Sequence, residues 1–170
     1  MPTIVQVTTP SEIRYAQELM REFTSWAMTL EEGSEQAPTF RGLEEELAAL
    51  PGIYAPPTGC LLLAMQDGRP AGCVALKPHD PTTGELKRLY VRSDYRGKNL
   101  GRLLVMALID AARKFGYRRV ILDSHVSMTK AHEIYRAAGF RDVNGPEDFP
   151  EAFRPVVVFM ELNVGSTTAV

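Results

Sequence analysis

A strand, a basic turn and an amphipathic helix follow one another without interruption between residues 84 and 115. The strand-like segment GELKRLYV ends at Val91, and the turn RSDYRGKN places Gly97 among basic side chains before the helix begins. The first N–H groups of such a helix have no partner inside it, and the helix dipole makes this end positive. The sequence therefore predicts a turn that binds an anion.

The residues of this turn suit a phosphate group. Gly97 and Gly101 lack Cβ atoms where the backbone must approach a phosphate. Positive charge comes from Arg96, Lys98 and Arg102. The segment 96–101 is neither GxxxxGK[ST] nor GxGxxG, so a nucleoside triphosphate and NAD lose their usual support. Without a ligand, the same residues are typical of a capped surface helix with ordinary basic side chains.

Strand and helix patterns fill the rest of the chain. Strands are predicted from alternating or continuous apolar runs, and helices from apolar residues spaced i, i+3 and i+4. The predicted strands cover residues 3–9, 59–66, 70–77, 84–91, 118–124, 140–143 and 155–162, and the predicted helices 12–29, 40–50, 100–115 and 128–138. Asp67-Gly68-Arg69 predicts a hairpin turn, and Pro10 with Ser11 predicts a helix start. Residues 31–38 are expected to form a loop.

Periodicity also predicts which side chains share a face. Alternation along the strand 84–91 places four side chains together, namely Glu85, Lys87, Leu89 and Val91. The helix 100–115 has an apolar face made of Leu100, Leu103, Leu104, Ala107, Leu108, Ala111, Ala112 and Phe115. Gly139 is expected to end the helix before it.

The chain has the size and composition of one globular domain. Its 170 residues are 45% hydrophobic and 24% charged, so we expect a single domain over residues 1–164 and a frayed tail at 165–170. No apolar run approaches the length of a membrane-spanning helix, and the N-terminus lacks the pattern of a signal peptide. Cys60 and Cys73 lie in apolar strands, which favours buried, reduced thiols. A cytoplasmic protein is expected.

Charge is unevenly distributed although the formal net charge is only -2. Residues 1–50 carry nine acidic and three basic side chains, whereas residues 84–119 carry ten basic and three acidic ones. A nucleic-acid partner is not expected, because the chain has neither zinc-finger spacing nor an overall basic charge. A small molecule that bears phosphate groups fits the basic turn better.

Three segments together resemble the GNAT superfamily of N-acetyltransferases. They are ELKRLYVRSDYRGKNLGRLL, AARKFGYRRVILD and AHEIYRAAGF, and the resemblance covers residues 60–143. It implies an α/β fold with a mixed sheet, in the order strand, two helices, three strands, helix, strand, helix and two strands. The sheet of this family is splayed between the fourth and fifth strands. The resemblance also implies acetyl-CoA as co-substrate, without a metal.

The resemblance assigns the cofactor site to the turn and the strand before it. In the family pattern Arg/Gln-x-x-Gly-x-Gly/Ala, Asn99 replaces the first motif glycine, and asparagine tolerates a left-handed backbone better than other side chains do. The turn residues implied to bind the cofactor are Arg96, Gly97, Lys98, Asn99, Leu100, Gly101 and Arg102. The backbone of Leu89, Tyr90 and Val91 is implied to pair with the amide groups of the pantetheine arm.

The resemblance also implies an acetyl transfer to a primary amine by direct attack, with two catalytic side chains. Glu85 is the expected base, because an ammonium group with a pKa of about 10.4 must lose a proton before it attacks. Tyr135 is the expected acid for the leaving thiolate. Spacing alone leaves alternatives open, since Glu85 could pair with Lys87 or Arg88 at a solvated strand edge, and Tyr135 could be a core residue.

The three histidines do not predict a metal site. His132-Glu133 is not followed by a second histidine at the spacing of a zinc-binding helix, and no cysteine is near in sequence. His125 follows a strand and is an alternative base or a contact to the acceptor. Water is a further alternative to Glu85.

The acceptor is expected to be a primary amine of a small molecule or peptide, framed by residues 26–40 and 144–153. Both segments carry carboxylates that could attract a cationic amine, namely Glu31, Glu32, Glu35, Glu147, Asp148 and Glu151. No membrane partner is expected, and a homodimer is left open. Two other functions stay open as well, a non-catalytic domain that binds or senses acyl-CoA and an interaction module that uses the basic segment 84–119.

Overall fold

The computed structural model describes residues 1–30 and 42–165. The strands are β1 (Thr3–Gln6), β2 (Cys60–Gln66), β3 (Arg69–Asp80), β4 (Thr83–Val91), β5 (Arg119–His125), β6 (Arg141–Val143) and β7 (Val157–Asn163). The helices are α1 (Pro10–Ala27), α2 (Leu43–Ala48), α3 (Leu100–Lys114) and α4 (Thr129–Ala137). Short 3-10 helices occupy Gly52–Tyr54, Ser93–Tyr95 and Glu151–Val156. The predicted order of elements is confirmed.

The strands form a mixed seven-stranded sheet in the order β1-β2-β3-β4-β5-β7-β6. Every neighbouring pair is antiparallel except β4 and β5, which are parallel. The predicted hairpin turn joins β2 to β3, and Asp67 and Gly68 both have positive φ values of 52° and 74°. Such φ values match the twist of paired antiparallel strands.

Helices cover both faces of the sheet. On one face, α3 and α4 pack over a core that includes Leu104, Leu108 and Tyr135. On the other face, α1 and α2 pack over a second core that includes Leu19 and Leu47. Two layers of helix around one sheet therefore bury both of its faces.

The apolar face of α3 is rotated relative to the prediction. Leu103 is 39% exposed, whereas Val105 and Ile109 are buried in the core. The i, i+3, i+4 pattern predicted the helix correctly. The alanines near the end of the helix also fit this spacing, so the predicted apolar face was wider than the buried one. Gly116 ends this helix and Gly139 ends α4, with φ values of 85° and 107°.

The sheet splays between β4 and β5, as the resemblance implied. The two strands pair over three positions, Thr83↔Arg119, Gly84↔Val120 and Glu85↔Ile121, and then separate. β4 continues to Val91 along β3, while β5 continues to His125 along β7. A cleft therefore opens in the sheet immediately after Glu85.

A β-bulge in β4 overturns the predicted face of that strand. Arg88 has a φ of 61°, and the register with β3 shifts between Cys73 and Ala75. Leu89 and Val91 consequently pack on the side of α3, together with Leu86. Glu85 and Lys87 lie opposite Lys77 and Ala75 and face the side of α1 and α2. One extra residue exchanges the two faces of a strand, because side chains alternate with a period of two.

Several predicted boundaries differ from the structure. β1 ends at Gln6, and α1 begins at Pro10 with Thr9 as its cap, whereas the sequence predicted a helix from residue 12 capped by Pro10 and Ser11. The 3-10 helix Glu151–Val156 takes the first positions predicted for the last strand. The predicted loop 31–38, the start of the predicted helix at 40 and 41, and residues 166–170 of the tail lie outside the described residues. No helix among the described residues has the length and apolar character needed to span a membrane.

Candidate active site

The turn before α3 has the backbone conformation that its sequence predicted. Gly97 has a φ of 80° and Asn99 a φ of 63°, so both lie in the left-handed region. Asn99 precedes the helix, but its side chain forms no capping hydrogen bond. Asparagine at this position preserves the turn expected for a glycine.

The N-terminus of α3 presents unpaired hydrogen-bond donors. None of the backbone N–H groups of residues 97–102 donates to another described residue. Residues 96–99 and Arg102 are exposed, so the turn that carries most of these donors lies at the surface. A group of exposed N–H donors at the positive end of a helix binds anions.

The basic side chains of the turn divide into two kinds. The Arg96 Nε donates to the Val91 carbonyl oxygen at 3.0 Å, and its guanidinium lies 6.0 Å from the centre of the Trp26 ring. Arg96 thus fastens the turn to the end of β4. Lys98 and Arg102 form no ion pair with a described residue, although the Lys98 Nζ lies 5.5 Å from the centre of the Tyr95 ring. These two charges are available to a ligand.

The two turn glycines have different structural roles. A Cβ at Gly97 would meet no atom within 4 Å, so this glycine serves the left-handed backbone. A Cβ at Gly101 would lie 2.8 Å from the Ile134 Cδ1 on α4. The expectation that Gly101 makes room for a phosphate is therefore incomplete, because its missing side chain also allows α3 to pack against α4.

One edge of β4 is open where the resemblance placed the pantetheine arm. Residues 86–91 have no partner on β5, since the last pair is Glu85↔Ile121. Leu89, Tyr90 and Val91 are half-buried and lie on this segment. Unpaired N–H and C=O groups along a strand edge can pair with an extended chain that carries amide groups.

Glu85 occupies the point where the sheet opens. Its side chain is 14% exposed, and its carboxylate oxygens lie 3.9 Å from the Lys77 Nζ and 3.7 Å from the Lys87 Nζ. The His79 Nδ1 is also 3.9 Å away. The predicted pairing with Lys87 is therefore present. Arg88, the other predicted partner, instead donates to Glu46 of α2 at 3.1 Å.

Lys87 and Asp123 face each other across the cleft, and sequence reasoning assigned neither of them to the site. They continue the strands two positions beyond the pair Glu85↔Ile121, on the same face. Burial lowers the pKa of Lys87, and Glu85 partly offsets this effect. The walls of the cleft restrict hydration of the Asp123 carboxylate and raise its pKa, although the side chain reaches solvent. A charged residue directly after the apolar run VIL was the available signal.

Tyr135 lies on α4, in the core on the α3 side of the sheet. It is 5% exposed, and its ring is 5.7 Å from that of Phe140. Burial raises the pKa of Tyr135, and the nearby charge of Asp123 raises it further. The hydroxyl forms no hydrogen bond with a described residue. Tyr135 is thus a core residue and also a protonated hydroxyl near the cleft.

The histidines are spread over separate elements. His125 ends β5, where its Nδ1 accepts from the Ser127 N–H at 3.1 Å, four residues beyond the Ile121 partner of Glu85. His132 is buried on α4, lies 3.0 Å from the Ser124 Oγ, and has a pKa lowered by burial. Among residues 1–30 and 42–165, no group of three or more potential ligands could hold a metal ion.

The cysteines are free and buried, as predicted. Burial raises the pKa of Cys60 and of Cys73 to about 12, so neither thiol ionises near neutral pH. A nucleophilic role for either cysteine is not supported, since the thiolate is the reactive form.

The predicted acidic rim is only partly described. Glu31, Glu32 and Glu35 lie outside the described residues. Glu147, Asp148 and Glu151 are exposed. The Arg154 Nε lies 2.9 Å from the Glu151 Oε1 and offsets part of this charge.

A second basic region lies at the opposite end of α3. It is a cavity of about 920 Å³, and its charged lining consists of Arg113, Arg118, Arg119, Arg141, Asp80 and Glu161. Glu161 forms ion pairs with Arg119 and Arg141 at 3.1 and 2.6 Å. The negative end of α3 points toward this region, which disfavours it as the site of the predicted phosphate group.

Comparisons with known proteins agree with this geometry. Residues 18–140 match the Acetyltransferase (GNAT) family. An uncharacterised N-acetyltransferase of Schizosaccharomyces pombe is 38% identical over 128 residues, which are 74% of this chain and 77% of that protein. The N-acetylaspartate synthetase of Danio rerio is 34% identical over 109 residues, 63% of this chain but only 39% of the synthetase.

The fold also matches solved structures. An N-acetyltransferase of Thermoplasma acidophilum in complex with coenzyme A superposes with a TM-score of 0.70. The match covers 96% of this chain and 99% of that one at 18% sequence identity. At this identity the similarity concerns the fold.

Proposed function

Because this chain belongs to the acetyltransferase (GNAT) family, we propose that it moves an acetyl group from acetyl-CoA to a primary amine of a small molecule or peptide by direct attack. Glu85 is the base and Tyr135 the acid in this proposal. The observation that carries it is the cleft that opens after Glu85, with the open edge of β4 on one wall. The uncapped N-terminus of α3 follows that edge in the chain.

The residues present fit the parts of acetyl-CoA. The unpaired N–H groups of residues 97–102 and the charges of Lys98 and Arg102 would hold the phosphate groups. The backbone of Leu89, Tyr90 and Val91 would pair with the pantetheine amides. When bound, acetyl-CoA supplies the thioester whose C–S bond breaks as the C–N bond to the amine forms.

Glu85 would take the proton that the amine loses, directly or through water. Its carboxylate lies within 4 Å of the Lys77 and Lys87 ammonium groups at the apex of the cleft, beside the open edge of β4. Proton removal by a positioned carboxylate contributes about 10²- to 10⁴-fold to such a reaction.

Tyr135 would donate a hydrogen bond to the leaving sulfur and then its proton. Burial keeps the hydroxyl protonated by raising its pKa, which suits a donor. A thiolate resembling that of cysteine has a pKa near 8.5, so complete transfer from a less acidic tyrosine is uphill. We therefore assign the larger part of its effect to the hydrogen bond in the transition state.

Release of free thiol from acetyl-CoA, measured across a panel of amines with mass spectrometry of the products, tests the function. We expect thiol release that depends on the amine, and a product heavier by one acetyl group. Cofactor binding without release from any amine would instead favour the sensing domain. A cytoplasmic location and a homodimer stay predictions.

Glu85→Gln should lower turnover by about 10²- to 10⁴-fold while leaving acetyl-CoA affinity nearly unchanged. The acid limb of the pH–rate profile should weaken, because the group that must be deprotonated is lost. His125→Asn is the parallel variant for the other candidate base, and Asp123→Asn tests whether the carboxylate across the cleft takes that role instead. Wild-type turnover in Glu85→Gln, with a loss in either parallel variant, would move the role of base to that residue.

Tyr135→Phe keeps the ring and therefore the packing against Phe140. We expect a small change in stability and a decrease of about 10²-fold in the single-turnover rate. The decrease should be smaller with an acyl donor whose thiol is a better leaving group, since an acid matters less there. A variant as fast as wild type with acetyl-CoA would leave Tyr135 a packing role alone.

A further inference from the structure

The cleft carries three charged side chains around Glu85 that have no proton-transfer role in the proposed reaction. Lys77 of β3 and Lys87 of β4 lie on either side of Glu85, and Asp123 of β5 stands across the opening. All four lie on the face of the sheet that α1 and α2 cover, as the strand register shows. These residues come from three strands, of which β3 and β4 are consecutive in the chain and β5 follows only after α3.

The positive charges at this point exceed what Glu85 can pair with. The Lys87 side chain is 14% exposed, and the one ion pair that it forms within the described part of the chain is with Glu85 at 3.7 Å. The same carboxylate is shared with Lys77 at 3.9 Å. Two ammonium groups on one carboxylate leave a half-buried cation that is incompletely compensated. Burial lowers the pKa of Lys87, and the charges of Glu85 and Asp123 offset only part of this effect.

The Asp123 carboxylate on the opposite strand is not paired with Lys77 or Lys87. Asp123 forms no ion pair within 4 Å with a residue of the described chain. Lys87 nevertheless acts on it electrostatically, which places both groups at the same opening. The cleft therefore has a cationic wall on β4 and an anionic group on β5, separated by a gap.

We propose that the acceptor is an amine that also carries a carboxylate, as a free amino acid does, and that Lys87 binds this carboxylate. The inference rests on the proposed transfer function. Lys77 adds to the same positive wall, while Asp123 receives the ammonium group on the other side of the opening. The amine nitrogen is thereby held near Glu85, which takes its proton.

The charge arrangement also disfavours other amine classes. A polyamine or an aminoglycoside would place a second ammonium group against Lys77 and Lys87, and like charges at such distances repel in a partly buried site. A simple alkylamine would leave Lys87 without a further counter-charge. A zwitterion matches both walls, because each of its charges meets the opposite one.

The test compares each amino acid with its own carboxamide in steady-state kinetics. The carboxamide keeps the shape and the amine but removes the negative charge. We expect kcat/KM to be about tenfold or more higher for the preferred amino acid than for its carboxamide, the difference arising mainly in KM. Lys87→Met should reduce this ratio by about tenfold or more, and Lys87→Arg should restore most of it.

Two further variants complete the design. Lys77→Met should reduce the ratio less than Lys87→Met does, and it also replaces that variant if Lys87→Met fails to fold. Lys114→Met, on the exposed end of α3, is the matched control and should leave the ratio at its wild-type value. A reduction as large in Lys114→Met would overturn the assignment.

The possible outcomes distinguish a failure of this inference from a failure of the proposed acetyl transfer. Thiol release from carboxamides or polyamines at rates equal to those of amino acids would overturn the inference and leave acetyl transfer intact. The absence of thiol release with every amine would overturn the proposed function. A preference for amino acids that survives both Lys87→Met and Lys77→Met would overturn the role of the lysines.

Discussion

Helix α1 begins with a capping box, whereas helix α3 begins with N–H groups that no described residue accepts. At α1, the Glu12 N–H donates to the Thr9 Oγ1 at 3.2 Å, and the Glu12 Oε2 accepts from the Thr9 N–H at 2.9 Å. At α3, Asn99 is left-handed and caps nothing. Side chains at the start of α1 thus accept hydrogen bonds from backbone N–H groups of the kind that stay exposed at the start of α3.

The difference shows how one local structure serves stability in one place and binding in another. A capping box stabilises its own helix, but it fills the positions where an anion would bind. The glycine-containing turn of α3 fills none of them and adds Lys98 and Arg102 nearby. Because the free N–H groups are exposed to water, leaving them open costs the folded chain little.

The largest expected effect comes from reversing the charge at the open helix start. The double substitution Lys98→Glu with Arg102→Glu should weaken acetyl-CoA binding by about 100-fold or more in calorimetry, because it places negative charge beside the phosphate groups. Glutamates at position 102 in the first turn and at position 98 just before the helix should not lower the melting temperature, since negative charge suits this end of the helix dipole.

The matched control reverses charge at the other end of the same helix. Arg113→Glu with Lys114→Glu changes the net charge equally and should leave acetyl-CoA affinity within about twofold, since these residues lie beyond the first turn where the dipole acts. Equal loss in both double variants would mean that overall charge, and not the helix start, attracts the cofactor. These variants are preferable to Gly101→Glu, because a side chain there also displaces Ile134.

A smaller effect is expected when one negative charge is added at residue 99, directly before α3. Asn99→Asp should weaken acetyl-CoA binding by about tenfold, because the added carboxylate repels the phosphate groups. Asn99→Gly should bind as tightly as the parent or more tightly, since glycine adopts the positive φ at this position without strain. A large loss in Asn99→Gly would mean that the asparagine side chain itself contacts the cofactor.

The smallest effect concerns the capping box at the start of α1, whose contribution to stability should depend on pH. Hydrogen bonds from the backbone N–H groups of Thr8 and Thr9 lower the pKa of Glu12. Its stabilising contribution should be complete above the ordinary glutamate pKa of about 4.3 and lost as the pH falls through the lower pKa of the folded state. Urea denaturation should show Glu12→Gln to be less stable than the parent at neutral pH, with the difference disappearing in acid.

Glu133→Gln, on the exposed side of α4, is the control for this experiment and should follow the parent at every pH. Acetyl-CoA affinity should be unchanged in Glu12→Gln. A change in that affinity would contradict the separation of the two helix starts.

Much of the fold and part of the site could be predicted because their signals are local. The hairpin at Asp67-Gly68 and the turn around Gly97 depend on φ values that few residues adopt, so the sequence shows them directly. The position of Glu85 beside the opening also follows the prediction. The predicted start of α1 differed from the observed one by two residues, because Thr9 and Glu12 form a capping box that Pro10 and Ser11 cannot form.

Other features could not be predicted, because they depend on contacts between distant segments. The bulge at Arg88 exchanged the faces of β4, and alternation in the sequence gave no sign of it. The packing of Gly101 against Ile134 depends on how α4 lies on α3. Tyr135 is buried in the core, and its electrostatic interaction with Asp123 arises only because α4 packs beside β5; its role as the acid stays a prediction.

The sequence by itself determined the elements, their order and the open, basic start of α3, because periodicity, glycine conformations and helix ends are properties of neighbouring residues. Only the tertiary structure decided what faces the cleft. Lys87 and Asp123 face each other across the cleft, because β4 and β5 pair in parallel up to Glu85 and separate beyond it. The physical reason is that strand pairing and register are set by the packing of the whole sheet, to which residues distant in the chain contribute.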